Sequence, residues 1–384
     1  MTNSATKIPF NKPFIIGKEL DNIAQAVREG HLSGDGSFSK RCQKWMEDRL
    51  GCARAFLTHS CTGALEIAAM LCDIKPGDEV IMPSFTFVST ANAFVLRGGI
   101  PVFVDIHTDN LNIDERLIEQ AITSRTKAIV PVHYGGVACS MGEIITIANE
   151  NDLLVVEDAA QAVLSTYKGR FLGTVGNLGC ISFHETKNVI SGEGGALLIN
   201  DENFLERAEI IKEKGTNRNQ FLRNEVDKYT WLDIGSSFLP SELVGAFLYA
   251  QLEEAEKIGA DRRRTFQRYY HLLRPLEEKG VIRLPLLRKE ELCNGHLFYI
   301  ITQSLEERTR LIRYLGENGV NAIFHYVPLH SSPGGAKYGR VCGSMRITEE
   351  FSNRLLRLPL YYEMRERDVD RVVDLVQRFY DLEG

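Results

Sequence analysis

A lysine and a carboxylate, each placed just after an apolar run, are the residues of this chain best suited to chemistry. Asp158 follows the run at 153–156, and Lys187 lies beyond a second run at 180–183. A lysine amine can form a Schiff base with the aldehyde of pyridoxal phosphate, while a carboxylate can keep the pyridine nitrogen of that cofactor protonated. The pair predicts pyridoxal phosphate chemistry, with Lys187 and Asp158 as catalytic residues.

Both residues also have commonplace explanations. A lysine in a turn is usually a solvated surface charge, and an aspartate after a strand is often a helix N-cap. The two apolar runs, however, are typical of short buried parallel strands, and ligands bind beyond the carboxyl ends of such strands in open α/β sheets. We therefore expect both side chains at the same edge of one sheet.

The elements that must position this pair alternate along the chain. Helical patterns at 62–72 and 115–122 lie between short β-like runs, which predicts an α/β fold with a largely parallel sheet. The β-like runs are residues 79–82, 102–104, 128–132, 153–156, 180–183 and 196–199.

The remainder of the chain predicts a second domain. A long helix at 241–264, interrupted near Gly259, leads into an α+β region that ends in an amphipathic helix. Apolar residues on one face of that helix indicate core packing; they are Val369, Val372, Val373, Val376 and Phe379 or Tyr380. We expect a large α/β domain at 1–255 and a smaller α+β domain at 256–384.

Composition restricts the function classes. The 384 residues carry 51 acidic and 45 basic side chains, a net charge of −6, so no global basic surface favours nucleic acid. No apolar stretch approaches the ~20 residues of a membrane span, and residues 1–7 lack the apolar core of a signal peptide. Eight cysteines without metal-like spacing suggest reduced thiols. We expect a cytoplasmic protein with no metal site.

Two further segments could complete a cofactor pocket. Ser60, Cys61 and Thr62 open the first helical pattern, and the free N–H groups at a helix N-terminus bind phosphate well. The same segment could be a plain N-cap. Phe87 follows the run at 79–82 and could lie on a pyridine ring or pack in the core.

Taken together, several motifs resemble the DegT/DnrJ/EryC1/StrS sugar aminotransferases. The similarity extends from about residue 8 to the run at 357–360. The motifs are Ser-x-Thr at 60–62, Thr-Phe-Val-Ser-Thr at 86–90, Pro-Val-His-Tyr-Gly at 131–135, Glu-Asp-Ala-Ala-Gln at 157–161, Ser-Phe-x-x-x-Lys-Asn at 182–188, Gly-Glu-Gly-Gly at 192–195 and His-Tyr-Val-Pro-Leu-His at 325–330.

The resemblance implies the type I aminotransferase fold, pyridoxal phosphate as cofactor, and a homodimer in which the partner completes each active site. By position, Lys187 matches the Schiff-base lysine and Asp158 the partner of the pyridinium nitrogen. The other residues that match cofactor contacts are Gln161 at the phenolic oxygen, Phe87 on the ring, and Ser182 with Cys61 and Thr62 at the phosphate.

One departure from the family pattern bears on the phosphate site. Many members carry Gly-x-Asn-x-Arg before the long helix, where this chain has Gly235, Ser237 and Leu239. A serine hydroxyl can still donate one hydrogen bond, so Ser237 is retained as a cofactor contact.

The strings at 183–188 and 233–239 most resemble one branch of the family, the dTDP-4-amino-4,6-dideoxygalactose transaminases of the enterobacterial common antigen type. This implies dTDP-4-keto-6-deoxy-D-glucose and L-glutamate as substrates, in lipopolysaccharide-related biosynthesis.

Evidence for substrate contacts is thinner. Lys214 and Arg218 lie in a basic turn that could meet a diphosphate or simply be solvated. His325 and Tyr326 belong to a family motif that approaches the active site, although a lone histidine is often structural. Asp35 matches an N-terminal loop near the substrate. These five residues are the candidate substrate-binding set.

Alternative functions remain open at this level. The acceptor could be a 3-keto or UDP-linked sugar, since the same cofactor residues serve each. A related sugar dehydratase carries histidine in place of the Schiff-base lysine, so Lys187 favours transamination. A nicotinamide oxidoreductase lacks support, because no G-x-G-x-x-G follows a strand. A non-catalytic binding protein is disfavoured by the intact Lys187, Asp158 and Gln161.

Overall fold

The computed structural model describes residues 7–286 and 291–383. The first six residues, which belong to the segment without a signal-peptide core, lie outside this range. Among the described residues, no helix has the length and apolar character needed to span a membrane.

The α-helices are α1 (Glu19–Glu29), α2 (Ser37–Leu50), α3 (Cys61–Leu71), α4 (Val88–Val95), α5 (Ile118–Ala121), α6 (Met141–Glu150), α7 (Leu205–Lys212), α8 (Arg218–Leu222), α9 (Glu242–Glu253), α10 (Ala255–Glu278), α11 (Leu305–Glu317), α12 (Pro333–Tyr338), α13 (Arg346–Arg354) and α14 (Glu366–Glu383). Short 3₁₀ turns occur at Glu115–Leu117, Tyr134–Gly136, Glu202–Phe204 and Leu329–Ser331.

The strands are β1 (Arg54–Thr58), β2 (Glu79–Pro83), β3 (Ile100–Val104), β4 (Thr126–Ile129), β5 (Leu154–Asp158), β6 (Thr166–Tyr167), β7 (Arg170–Phe171), β8 (Leu178–Ser182), β9 (Gly195–Ile199), β10 (Glu291–Leu292), β11 (Phe298–Ile301), β12 (Ile323–Phe324), β13 (Arg340–Val341) and β14 (Leu355–Leu358).

The large sheet positions the first candidate pair. Its strand order is β1-β9-β8-β5-β4-β2-β3-β13, and all neighbours pair in parallel except those of β9, which runs opposite to β1 and β8. The carboxyl ends of β2, β4, β5 and β8 therefore meet at one edge. Buried helices α3 and α4 cover one face, and α6 covers the other. The prediction of an α/β fold with a mostly parallel sheet is confirmed.

A small antiparallel sheet, β11-β14-β12, lies in the second core with α10, α11 and α14. The apolar face predicted for the last helix is buried there, including Val369, Val372 and Val376. This is the α+β pattern expected for the C-terminal region. The boundary between residues 255 and 256 stays a prediction.

The predicted helix interruption at Gly259 is wrong. Gly259 lies inside α10, and the break falls at Glu254, whose φ of −106° and ψ of 10° separate α9 from α10. A glycine within a helix costs only about 1 kcal/mol relative to alanine. The buried neighbours Ile258 and Arg262 anchor the helix through it.

Candidate active site

A cavity of about 540 Å³ opens at the carboxyl edge of the large sheet, between that sheet and β14. Lys187, Asp158, Cys61, Thr62, Phe87, Gln161, Ser182, His325 and Tyr326 line it. The cavity thus brings together both predicted catalytic residues, all predicted cofactor contacts except Ser237, and two of the five predicted substrate contacts.

Asp158 is the last residue of β5 and its carboxylate is held from two sides. Thr90 donates its hydroxyl to Oδ2 at 2.7 Å, and the Ala160 N–H donates to Oδ1 at 3.1 Å. Thr86 lies 2.8 Å from the Thr90 hydroxyl and therefore donates to it, since the Thr90 proton is already used. This chain of hydroxyls fixes the carboxylate at the cavity wall, where it can accept a further hydrogen bond.

The preceding residue, Glu157, points to the opposite face of β5, as successive strand residues do. It is fully buried and accepts hydrogen bonds from His133 Nε2 at 2.9 Å and from the N–H groups of Gly173, Val175 and Gly176. Burial acts to raise the pKa of Glu157, but His133 and these N–H groups hold it below its usual value. Glu157 is therefore a buried structural carboxylate beneath the site.

Lys187 lies in the loop between β8 and β9 and is partly buried. Burial lowers the pKa of its amine below the usual value, and the Arg357 guanidinium acts in the same direction, while Asp158 opposes both. A larger neutral fraction makes the amine a better nucleophile and base. The next residue, Asn188, anchors the loop by donating to the Asn294 carbonyl at 3.0 Å and contacting His296 Nδ1 at 2.9 Å.

The N-terminus of α3 forms the predicted anion site. Ser60 caps the helix by accepting from the Gly63 N–H at 3.0 Å. The first N–H groups of a helix have no intrahelical partner, so Cys61 and Thr62 offer theirs to the cavity. Burial raises the pKa of the Cys61 thiol well above its usual value, which leaves it neutral. Ser182, at the end of β8, contributes a hydroxyl beside this turn.

Glycine at position 195 allows this turn to approach the sheet. A side chain there would place its Cβ 2.3 Å from the Cys61 nitrogen and 2.4 Å from the Ser60 carbonyl carbon. Both neighbours are backbone atoms that cannot give way. The Gly-Glu-Gly-Gly motif thus packs strand β9 against the helix start.

An aromatic ring and an amide complete this side of the cavity. Phe87 is 59% exposed and lines the cavity, so its ring is accessible from the cavity. The alternative that Phe87 is a core residue is therefore wrong. Gln161 accepts from the Gly135 N–H at 2.7 Å and donates to the Tyr326 hydroxyl at 2.9 Å, linking the two walls.

The opposite wall is formed by His325, Tyr326 and Arg357. The rings of His325 and Tyr326 stack at 3.4 Å, and His325 Nδ1 lies 3.1 Å from the Tyr134 hydroxyl. Burial lowers the pKa of His325, reinforced by the charges of Arg357 and Lys187, so its imidazole is neutral. In the sequence, Arg357 stands out only as a cation directly before the Leu-Pro-Leu string at 358–360, and it was not among the predicted site residues.

The other predicted contacts lie elsewhere in this chain. Asp35 pairs with the buried Lys212 at 2.7 Å, and the buried Glu213 faces Lys214 at 3.9 Å and Arg218 at 3.8 Å. Ser237 is exposed, and its backbone forms an isolated antiparallel β-bridge with that of Glu213. We call these residues (Asp35, Lys212, Glu213, Lys214, Arg218, Ser237) the outer cluster. None of them lines the cavity of its own chain, and their assigned roles stay predictions.

Comparison with known proteins accounts for the arrangement of the cavity. The profile of the DegT/DnrJ/EryC1/StrS aminotransferase family matches residues 13–377. The chain belongs to this family. It is 32% identical over 378 residues to the spore coat polysaccharide biosynthesis protein SpsC of Bacillus subtilis, with 96% of each chain covered. It is 31% identical to GDP-perosamine synthase of Caulobacter vibrioides, again with 96% of each covered.

Solved structures show the same fold. The aminotransferase TlmJ of Streptoalloteichus hindustanus superposes with a TM-score of 0.89 at 28% identity, covering 98% of this chain and 99% of the other. The expected type I aminotransferase fold is confirmed, and the present chain is a pyridoxal phosphate-dependent sugar aminotransferase like its family.

The residues present fit that cofactor. The helix α3 N-terminus suits a phosphate, the exposed Phe87 ring suits a flat heterocycle, the Asp158 carboxylate suits a protonated ring nitrogen, and the Lys187 amine suits an aldehyde. All four face one cavity.

Proposed function

We propose that this aminotransferase moves the amino group of L-glutamate to a nucleotide-linked keto sugar. The observation that carries the proposal is the Lys187 amine and the Asp158 carboxylate in one cavity with the α3 N-terminus. GDP-perosamine synthase, a relative by sequence, is named for a sugar carried on a nucleoside diphosphate, which supports an acceptor of this class.

The chain's own residues account for the proton movements. Bound pyridoxal phosphate supplies an aldehyde for amine exchange and a ring that withdraws electrons from the donor's α-carbon. Asp158, fixed by Thr90 and Ala160, holds the proton on the ring nitrogen. With the cofactor bound, the Lys187 amine would accept the proton from the α-carbon of glutamate and deliver it to the carbon of the former aldehyde group. In this first half glutamate would leave as 2-oxoglutarate with uptake of one water, and the reverse sequence on the keto sugar would release one water and give the sugar its amino group.

For the acceptor we propose dTDP-4-keto-6-deoxy-D-glucose, which gives dTDP-4-amino-4,6-dideoxy-D-galactose for cell-surface polysaccharide of the enterobacterial common antigen type. The support is the resemblance of the strings at 183–188 and 233–239. A 3-keto or UDP-linked acceptor is the second candidate, because the cofactor residues serve it equally. A cytoplasmic location is part of the same proposal.

The deciding experiment incubates the holoenzyme with glutamate and a panel of dTDP-, UDP- and GDP-linked keto sugars, followed by NMR of the product. Amination at C4 with galacto configuration supports the proposed acceptor. A gluco product, or turnover of UDP sugars alone, overturns the acceptor and retains the transamination. Loss of water from the sugar without gain of nitrogen indicates the dehydratase alternative.

We also propose a homodimer in which the outer cluster of one subunit serves the cavity of the other. Apolar residues next to this cluster are exposed in the single chain, including Trp231 at 79%, Leu222 at 61% and Leu232 at 55%. Such a patch is typical of a protein contact surface. A second copy would cover it and bring Ser237 and Arg218 towards a cavity that they do not reach in their own chain.

Co-expression of Lys187→Ala chains with Arg218→Glu chains tests the shared site. If the sites are shared, a mixed dimer has one site with neither change, and random pairing restores about a quarter of wild-type activity. Activity no higher than the sum of the separate variants would show that each chain supplies its own complete site.

A further inference from the structure

Arg357 is a cation in the cavity wall whose hydrogen-bonding capacity is largely unused. It lies on β14, the central strand of the small sheet, opposite Tyr299 and Ile323. Its Nη2 donates to the Phe324 carbonyl at 3.1 Å, while its Nε is buried without a hydrogen-bond partner. The side chain as a whole is half-buried, so the unpartnered Nε is the part that carries a desolvation cost, and an anion reaching the guanidinium would offset it.

The second arginine of the cavity wall shows the contrast. Arg262 is fully buried and donates to the carbonyls of Gly295, His296 and Leu360. Those bonds tie α10 to the neighbouring loops and give Arg262 a structural role. Arg357 has one such bond, and within the described ranges no carboxylate lies within ion-pair distance of it.

The guanidinium of Arg357 is also held in a fixed orientation. It lies 4.7 Å from the centre of the Phe10 ring. The Phe10 carbonyl accepts from the Leu360 N–H at 3.4 Å, just after β14 ends. Arginine stacked on an aromatic ring keeps its planar donor edge available for a carboxylate or phosphate.

Two kinds of anion enter this cavity if the proposed function holds. The cofactor phosphate is accounted for by the N-terminus of α3 on the large sheet. The amino donor carries a carboxylate on the same carbon as its amino group, so that carboxylate must lie close to Lys187. Arg357 and His325 line the same cavity as Lys187, and the charge of Arg357 lowers the pKa of the Lys187 amine, as expected for two cations that share a cavity.

We propose that Arg357 binds the α-carboxylate of the amino donor and so restricts the donor to α-amino acids. This rests on the proposed transamination and adds the residue that recognises the donor. In this assignment the sugar nucleotide does not bind to Arg357. Removing the guanidinium should therefore weaken donor binding and leave nucleotide binding unchanged.

Calorimetric binding to the holoenzyme tests the proposal without turnover. The probes are 2-methylglutamate, which has no α-proton to lose, 4-aminobutanoate, which has no α-carboxylate, and dTDP. Because hydrogen bonds to charged groups contribute about 1.5–3 kcal/mol, Arg357→Gln should weaken 2-methylglutamate binding by roughly tenfold to a hundredfold. Binding of 4-aminobutanoate and dTDP should be unchanged, and Arg357→Lys should recover part of the loss.

Arg308→Gln is the matched control. Arg308 also has a buried Nε without a partner, one bond to a carbonyl (Ser352, 3.0 Å) and a ring contact at 5.5 Å with Phe324, but it does not line the cavity. It should bind all three probes like the wild type.

The ratio of 2-methylglutamate to 4-aminobutanoate affinity, measured on one preparation of Arg357→Gln, is independent of the folded fraction. A ratio equal to that of the wild type overturns the assignment, as does a loss that falls on dTDP instead. A wild type that binds 2-methylglutamate but aminates no nucleotide sugar overturns the proposed function and leaves the role of Arg357 intact.

Discussion

The cavity and the outer cluster differ in how their residues are held. Asp158 and Ser182 stand at the ends of β5 and β8, and the Lys187 loop is anchored through Asn188. Lys214, Arg218 (at the start of α8) and Ser237 are exposed residues around the buried Glu213. The first set is organised by one chain alone, whereas the second has its charges and hydroxyl at the surface. This difference is consistent with the proposals above, in which the cavity carries the chemistry and the outer cluster serves the cavity of a second copy.

The largest effect should follow from removing the Lys187 amine. Lys187→Ala removes both the covalent link to the cofactor and the proton carrier, so kcat should fall by roughly 10⁴-fold, the upper range for a lost acid–base group. The covalent yellow chromophore should disappear from the absorption spectrum. Lys127→Ala, on the exposed side of β4, is the control and should keep both.

Retention of chromophore and turnover in Lys187→Ala would remove the basis of the comparison, since the cavity would then not be the centre of chemistry.

Asp158→Asn should give the next largest effect. The amide keeps the size of the carboxylate but cannot hold a proton on the ring nitrogen, so the rate should fall by about 10²–10⁴-fold while cofactor still binds. Spectroscopic titration with pyridoxal phosphate measures binding, and glutamate-dependent turnover measures the rate. Asp48→Asn on the surface of α2 is the control. Near-normal turnover in Asp158→Asn would assign that carboxylate a purely structural role.

Glu157, the neighbour of Asp158 on β5, allows an effect on stability to be distinguished from an effect on catalysis. Glu157→Gln replaces an acceptor of four hydrogen bonds with a group that presents an N–H to N–H donors. Breaking a buried pair from one side costs about 3–5 kcal/mol, so the free energy of unfolding should fall by that order. The rate per folded, cofactor-bound subunit should change little, unlike that of Asp158→Asn.

The pH dependence of this loss has a defined sign. The folded-state pKa of Glu157 is below its usual value of 4.5, so its stabilisation is fully present above that pH. As pH falls below 4.5 towards the folded-state pKa, the protein loses that contribution. Denaturant unfolding of the wild type and of Glu157→Gln should therefore give free energies of unfolding whose difference becomes smaller in acid. A difference constant from pH 7 to pH 4 would contradict an ionised Glu157.

The positions of the two catalytic residues could be predicted from the sequence because they depend on local sequence patterns. Asp158 and Lys187 come just after apolar runs, and parallel strands bring such positions to one edge. The place of Arg357 in the cavity wall could not be predicted in this way, because it depends on how the small sheet packs against the large one. Gly259 misled the helix prediction because burial of Ile258 and Arg262 outweighs a small propensity cost.

The smallest effect should come from Ser237→Ala, which tests whether the outer cluster takes part in cofactor binding. Where many family members carry asparagine, this chain offers one hydroxyl, and a single neutral hydrogen bond contributes about 0.5–1.5 kcal/mol. Cofactor affinity should therefore weaken by roughly twofold to tenfold with kcat preserved at saturating cofactor. Ser237→Asn should bind at least as tightly as the wild type. Unchanged affinity in Ser237→Ala would leave the outer cluster without a part in cofactor binding, because an exposed residue outside its own cavity reaches phosphate only through the partner.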